Sequence, residues 1–193
     1  MYHRTLFNTP VVFHIFYAIA WLGLRIAGWK IKGRPPDLAK YIVIAYPHTS
    51  NWDFPLGVAV SILFRIKIYW LGKESLFKGV AGPVMKWLGG KPIDRSEAHD
   101  VVQQTINTFE QNDAMIVAVA PEGTRSQVGK WKTGFYHIAV GANLPIILGY
   151  FDYAKKQAGC LESFTPTGNI DQDMISIKTA YQGVEGKYNN QAG

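Results

Sequence analysis

Three stretches of this chain are apolar at nearly every position: "YIVIAY" at 41–46, "AMIVAVA" at 114–120 and "LPIILGYFDY" at 144–153. A strand with one face in water alternates apolar and polar residues, because successive side chains point to opposite faces. Runs without that alternation, rich in Ile and Val, need cover on both faces. Helical patterns lie between them: "FPLGVAVSILF" at 54–64, "GPVMKWLG" at 82–89, "TGFYHIAVGA" at 133–142 and "IDQDMISIKTAYQG" at 170–183. The clearest helix covers 97–111, where Val101, Val102, Thr105, Ile106 and Phe109 share one face. Two shorter strands, "KIYWLG" at 67–72 and "KPID" at 91–94, complete the alternation. The order predicts an α/β domain, a mainly parallel sheet flanked by helices on both faces. Ligands of such sheets bind beyond the carboxyl ends of the strands.

The N-terminal part is of another kind. "PVVFHIFYAIAWLGLRIAGW" at 10–29 is apolar around most of a helix, with His14 and Arg25 on one stripe. A spanning helix needs roughly 20 predominantly apolar residues, and here the uninterrupted apolar run is shorter. It is predicted to be an amphipathic helix that lies in a membrane surface; a core helix is the plainer alternative. "AIA" at 18–20 resembles a leader cleavage site, but the apolar pattern continues past it, which favours a retained helix. "KGRPPD" at 32–37 reads as a stiff linker. The chain therefore divides into residues 1–36, an interfacial helix and linker, and 37–193, the α/β domain.

Charge narrows the partners. Of 193 residues 18% are charged, below the usual quarter, and the formal charge is +6. The basic residues are dispersed among six Trp, ten Tyr and ten Phe, with no dense Lys/Arg block. That pattern favours a membrane surface or a phosphate-bearing substrate over nucleic acid. A single cysteine, Cys160, excludes an intrachain disulfide and a cysteine-based zinc site.

Three strand-following loops carry polar chemistry. In "AYPHTSNWDF" at 45–54, His48 can take a proton from an alcohol, and Asp53 can hold its other ring nitrogen. The same residues also suit a helix-capping aspartate beside a loop histidine. "APEGTRS" at 120–126 supplies Glu122, Gly123, Thr124 and Arg125: a carboxylate, a flexible turn, a hydroxyl and a planar cation. A surface turn with an ion pair would read the same way. "GGKPIDRS" at 89–96 adds Lys91 and Arg95, and "GKWKTGF" at 129–135 adds Lys130 and Lys132.

These blocks in this order, H-x4-D, G-x-x-x-I-D-R, P-E-G-T-R-S and then an apolar segment with "LPIIL", resemble the glycerophospholipid acyltransferase family over about residues 40–150. The best-known members of that family are the 1-acyl-glycerol-3-phosphate acyltransferases. The resemblance implies that His48 is the general base and Asp53 its orienting partner. It implies that Arg95 holds the phosphate of the acceptor, and that Glu122, Gly123, Thr124 and Arg125 bind the polar acceptor. Pro145 falls in a block linked to acyl-donor binding or packing. The chain departs from the common pattern at Pro47, where Asn is frequent, at Trp52, at "KPIDR" and at "LPIILGY".

The expected reaction follows from the resemblance: acyl transfer from an acyl thioester, of coenzyme A or acyl carrier protein, to the hydroxyl of a lysophospholipid. No bound cofactor or metal is expected. The expected place is the cytoplasmic face of the membrane. A phospholipid–lysophospholipid transacylase would use the same base, and a non-catalytic lipid-binding protein could share the fold. Ser50 and Ser126 lack the G-x-S-x-G elbow of a hydrolase.

Overall fold

The computed structural model describes residues 5–93, 98–123 and 131–188. One seven-stranded sheet organises the chain. Its strands are β1 (Lys30–Lys32), β2 (Lys40–Tyr46), β3 (Ile68–Lys73), β4 (Gly90–Ile93), β5 (Met115–Val119), β6 (Ile146–Asp152) and β7 (Gln157–Phe164). They lie in the order β1-β7-β6-β2-β5-β3-β4. All neighbours are parallel except β6 and β7, which form an antiparallel hairpin. The apolar runs occupy the centre: Ile42 aligns with Ile146 on one side and Val117 on the other.

The helices are α1 (Pro10–Ile26), α2 (Asp53–Phe64), α3 (Ala81–Trp87), α4 (Ala98–Glu110), α5 (Gly134–Gly141) and α6 (Ile170–Ala180). On one face of the sheet, Ile42, Ile44, Val117 and Leu148 pack against Phe109 of α4, Ile138 of α5 and Ile177 of α6. On the other face, Phe151 and Ala158 pack against Leu56 and Val60 of α2. The period-2 geometry of β2 divides its side chains between these layers, which is why the strand is apolar throughout.

Two strands depart from the sequence expectation. Lys30–Lys32 pairs with Gln157–Ala158–Gly159, so the sheet takes in a strand from ahead of the Pro35–Pro36 stretch. The segment 157–164 forms the hairpin partner of β6. Both lie towards one edge and carry polar residues, Lys30, Lys32, Gln157 and Glu162 among them, so neither shows a buried-strand pattern.

Helix α1 begins with Pro10 in its first turn, where the missing N–H costs nothing. It packs along α2, where Leu24 joins Leu56 and Val60, while Phe16 meets the Trp87 ring of α3 edge-on; no residue of α1 is fully buried. Its opposite face is also apolar and stands open: Val11 is 74% exposed and Ile26 77%, with Ile15, Ile19 and Leu22 between them. His14, Trp21 and Arg25 occupy one flank. The helix is thus apolar both inward and outward. No helix among the described residues is long and apolar enough to cross a membrane.

Candidate active site

The carboxyl ends of β2 and β5 are neighbours, so the loops that follow them meet. Beyond β2 the Tyr46–Pro47 bond is cis. A tight turn follows: Ser50 Oγ accepts from the Trp52 N–H (3.1 Å), and the Ser50 N–H donates to Asp53 Oδ2 (2.7 Å). That turn brings together two side chains which a continuous helix would hold about 140° apart at a spacing of five. His48 Nδ1 lies 3.2 Å from Asp53 Oδ2. Asp53 is 2% exposed and opens α2 without capping it, so its carboxylate is directed to partners within the site.

A third residue completes the arrangement. Tyr153 donates its phenol O–H to Asp53 Oδ1 at 2.6 Å. Burial first, and the Asp53 carboxylate second, push that phenol well above its ordinary range. Each Asp53 oxygen therefore has a donor, which fixes the plane of the carboxylate and with it the imidazole. The His48 side chain keeps 27% of its exposure, so its remaining nitrogen, Nε2, is accessible to a substrate. Tyr153 stands a hundred residues from Asp53 in sequence, just past β6, and no local motif marks it.

Glu122 joins the two loops. Its Oε1 accepts from the His48 backbone N–H at 2.7 Å, while Oε2 has no hydrogen-bond partner among the described residues. Burial raises the carboxyl pKa, and the His48 N–H only partly offsets this. Gly123 adopts φ +64° and donates to the Ala120 carbonyl at 3.0 Å. A Cβ there would come within 2.9 Å of Lys132 Cδ, so the stem of Lys132 crosses this turn. Arg95, Thr124 and Arg125 lie outside the described residues, as do Ser126 and Lys130. Lys91 is engaged elsewhere, with its ammonium over the Tyr69 ring.

An apolar cavity of about 190 Å³ opens beside His48 and Asp53, between the sheet and α2. It exceeds the roughly 150 Å³ of engineered apolar cavities that admit benzene. Small residues make the room: Ala45, Ala118 and Gly149 on the strands, Ala120 just past β5, and Gly57 and Ser61 on α2. Phe54, Phe64, Trp70 and Phe151 form the larger walls. Cys160 also lines it, with its thiol pushed up to about 12 by burial, too high for a thiolate nucleophile near neutral pH. Ser50 is buried, and its Oγ accepts from the Trp52 N–H in the turn. Pro145 sits, half-buried, at the far end of the sheet, where its carbonyl accepts from the Ile42 N–H.

The family model described as Acyltransferase matches residues 32–148. The chain belongs to the acyltransferase family. Its matched stretch contains His48, Asp53 and Glu122, whereas Tyr153 falls just beyond it. Among relatives of this acyltransferase-family chain, the 1-acyl-sn-glycerol-3-phosphate acyltransferase of Escherichia coli is 31% identical over 145 residues, covering 69% of the chain and 56% of that protein. The Haemophilus influenzae protein of the same name is 28% identical over 139 residues, covering 66% and 56%. The chain thus spans about half the length of these relatives. A solved structure, the 1-acyl-sn-glycerophosphate (LPA) acyltransferase PlsC of Thermotoga maritima, superposes with a TM-score of 0.59 at 18% identity over 90% of this chain and 78% of that one. That likeness is one of fold, α/β with a mainly parallel sheet.

Proposed function

We propose that the protein transfers a fatty acyl group from an acyl thioester to the hydroxyl of a lysophospholipid of the 1-acyl-glycerol-3-phosphate class. The observation that carries this reading is the His48–Asp53–Tyr153 chain at the mouth of an apolar cavity. A base alone would suit many reactions. A base beside a cavity lined by small apolar residues suits one whose substrate carries an acyl chain. The names of the relatives supply the acceptor class.

The acceptor hydroxyl rests near His48 Nε2. His48 takes its proton as the oxygen attacks the thioester carbonyl, and Asp53, held by Tyr153, stabilises the imidazolium. Collapse of the tetrahedral species expels the thiolate, which receives the proton from His48. The thioester C–S bond breaks, the ester C–O bond forms, and the enzyme ends unchanged. Glu122, whose buried Oε2 has no partner among the described residues, is placed by the family pattern to bind the polar acceptor with Gly123. Arg95 and Arg125 take the phosphate, and Thr124 binds the polar acceptor, as the family pattern suggests. The donor thiol is that of coenzyme A or acyl carrier protein. The outer face of α1 docks the enzyme on the cytoplasmic leaflet, where lysolipid and thioester meet.

The test is acyl transfer from a thioester to a panel of lysolipids with and without phosphate headgroups. General-base catalysis contributes about 10²–10⁴-fold. His48→Ala is expected to lower kcat by that order with its circular dichroism unchanged. A folded His48→Ala protein with near-normal turnover sinks the proposal. Transfer that proceeds from a phospholipid donor without any thioester would reassign the enzyme as a transacylase.

A further inference from the structure

A second concavity lies on the opposite side of Phe64 from the candidate active site. It is a groove of about 590 Å³ where α1, the end of α2 and β1 meet. Its chemistry differs from that of the apolar cavity. Tyr17, Trp21 and Trp29 supply aromatic surface, and Arg25, Lys30 and Arg34 supply cations. No acidic side chain lines it among the described residues. Arg25 stacks over the Trp21 ring, with Cζ 5.4 Å from the centroid. None of the three cations forms an ion pair among the described residues. Its volume lies within the roughly 300–1,000 Å³ usual for small-ligand sites.

The position of the groove says what would fill it. At about 100° per residue, Val11, Ile15, Leu22 and Ile26 share the outer face of α1. Tyr17, Trp21 and Arg25 recur every fourth residue along a flank, roughly a third of a turn away. An in-plane helix buries its apolar face about 5–10 Å into the boundary between headgroups and acyl chains. A flank at that angle lies at headgroup height, where tryptophan rings settle and arginine and lysine stems reach up to phosphate. Three cations with no ion-pair partner among the described residues line one groove at that level, a charge pattern that suits an anion.

We infer that this groove is a binding site for the headgroup of one anionic phospholipid, separate from the acceptor site, and that it makes docking selective for anionic bilayers. The inference rests on the proposed docking of α1. Lys30, Arg25 and Arg34 hold the phosphate, Trp21 and Trp29 flank the glycerol backbone, and the acyl chains run down beside Leu22 and Ile26 into the bilayer.

The experiment pairs vesicle flotation with calorimetry on the full chain. Vesicles are phosphatidylcholine with and without phosphatidylglycerol. The titrant is a short-chain phosphatidylglycerol kept below its micelle concentration, with inorganic phosphate in a separate titration. Each cation at an anionic surface contributes about fivefold in affinity, the fold-change that about 1 kcal/mol represents. K30Q/R34Q, both at exposed positions, is therefore expected to lose about 25-fold on phosphatidylglycerol vesicles and nothing on phosphatidylcholine alone. Wild type is expected to saturate with one short-chain lipid per protein, and K30Q/R34Q to show no saturable binding. Loss on vesicles without saturable binding by wild type overturns the site in favour of diffuse attraction. Inorganic phosphate binding as tightly as the short-chain lipid overturns the lipid as occupant. If wild type floats with neither vesicle, the docking of α1 is refuted, and the short-chain titration still decides the groove.

Discussion

Tyr153→Phe removes one oxygen and leaves the ring. The ring stays in place because it packs edge-on against Trp29, with centroids 5.0 Å apart and planes at 88°, a contact that Phe can reproduce. What goes is the 2.6 Å hydrogen bond to Asp53 Oδ1, and that oxygen belongs to a carboxylate only 2% exposed. A hydrogen bond to a charged group contributes about 1.5–3 kcal/mol, and water has little access to replace it. Stability by urea denaturation is expected to fall by about that much. Asp53 keeps the Ser50 N–H and His48 on its other oxygen, so the loss only loosens the carboxylate plane. If about 1 kcal/mol of it appears as misorientation of His48, kcat drops about fivefold, with KM within about twofold. A merely structural tyrosine would lower stability and leave kcat alone. The decisive assay is a double-mutant cycle with Asp53→Asn. If Tyr153 acts through Asp53, its replacement costs no further kcat in the Asp53→Asn background. Additive effects on kcat, or unchanged stability in the single variant, refute the reasoning.

Two further outcomes follow from the same geometry. Glu122 has a folded-state pKa raised above its unfolded value, so the unfolded chain releases the proton first as pH rises. Its contribution to stability is present at acid pH and lost as pH climbs from the ordinary carboxyl range through the raised value. Glu122→Gln keeps an acceptor for the His48 N–H and carries no charge; its Tm should exceed that of wild type by an amount that grows over this window and is absent below it. A pH-independent difference in Tm would contradict this account. Ala118→Phe places a ring in a cavity of about 190 Å³ that can hold one. Transfer from long acyl thioesters should fall at least about tenfold relative to short ones, while any overpacking costs about 1–3 kcal/mol in stability. An unchanged chain-length profile would show that the acyl chain lies elsewhere.

Much of the fold could be read from the chain because buried parallel strands leave a dense signal. The segments 41–46 and 114–120 admit little else, and they set the loops carrying His48 and Glu122 side by side. The edge strand Lys30–Lys32 and its partner Gln157–Phe164 escaped because polar side chains dilute the apolar pattern there. The site divides in the same way. His48 and Asp53 lie within one loop, and their relation is a matter of a local turn. Tyr153 reaches Asp53 from the β6–β7 hairpin, which only the tertiary fold brings near. The cavity is marked by what is missing, side-chain bulk at Ala45, Gly57, Ala118 and Gly149, and scattered small residues on separate elements form no pattern in sequence.

The edge-on packing of Trp29 on Tyr153 bears on how the enzyme can be handled. Trp29 is continuous with the helix proposed to hold the protein at the bilayer, and its N–H donates to the Leu24 carbonyl at the end of that helix. A detergent-free version made by cutting the chain ahead of β1 would discard the ring against which Tyr153 leans. The segment that looks like a detachable anchor also buttresses the histidine–aspartate pair, so solubility gained by truncation would be taken from the precision of the proposed proton transfer.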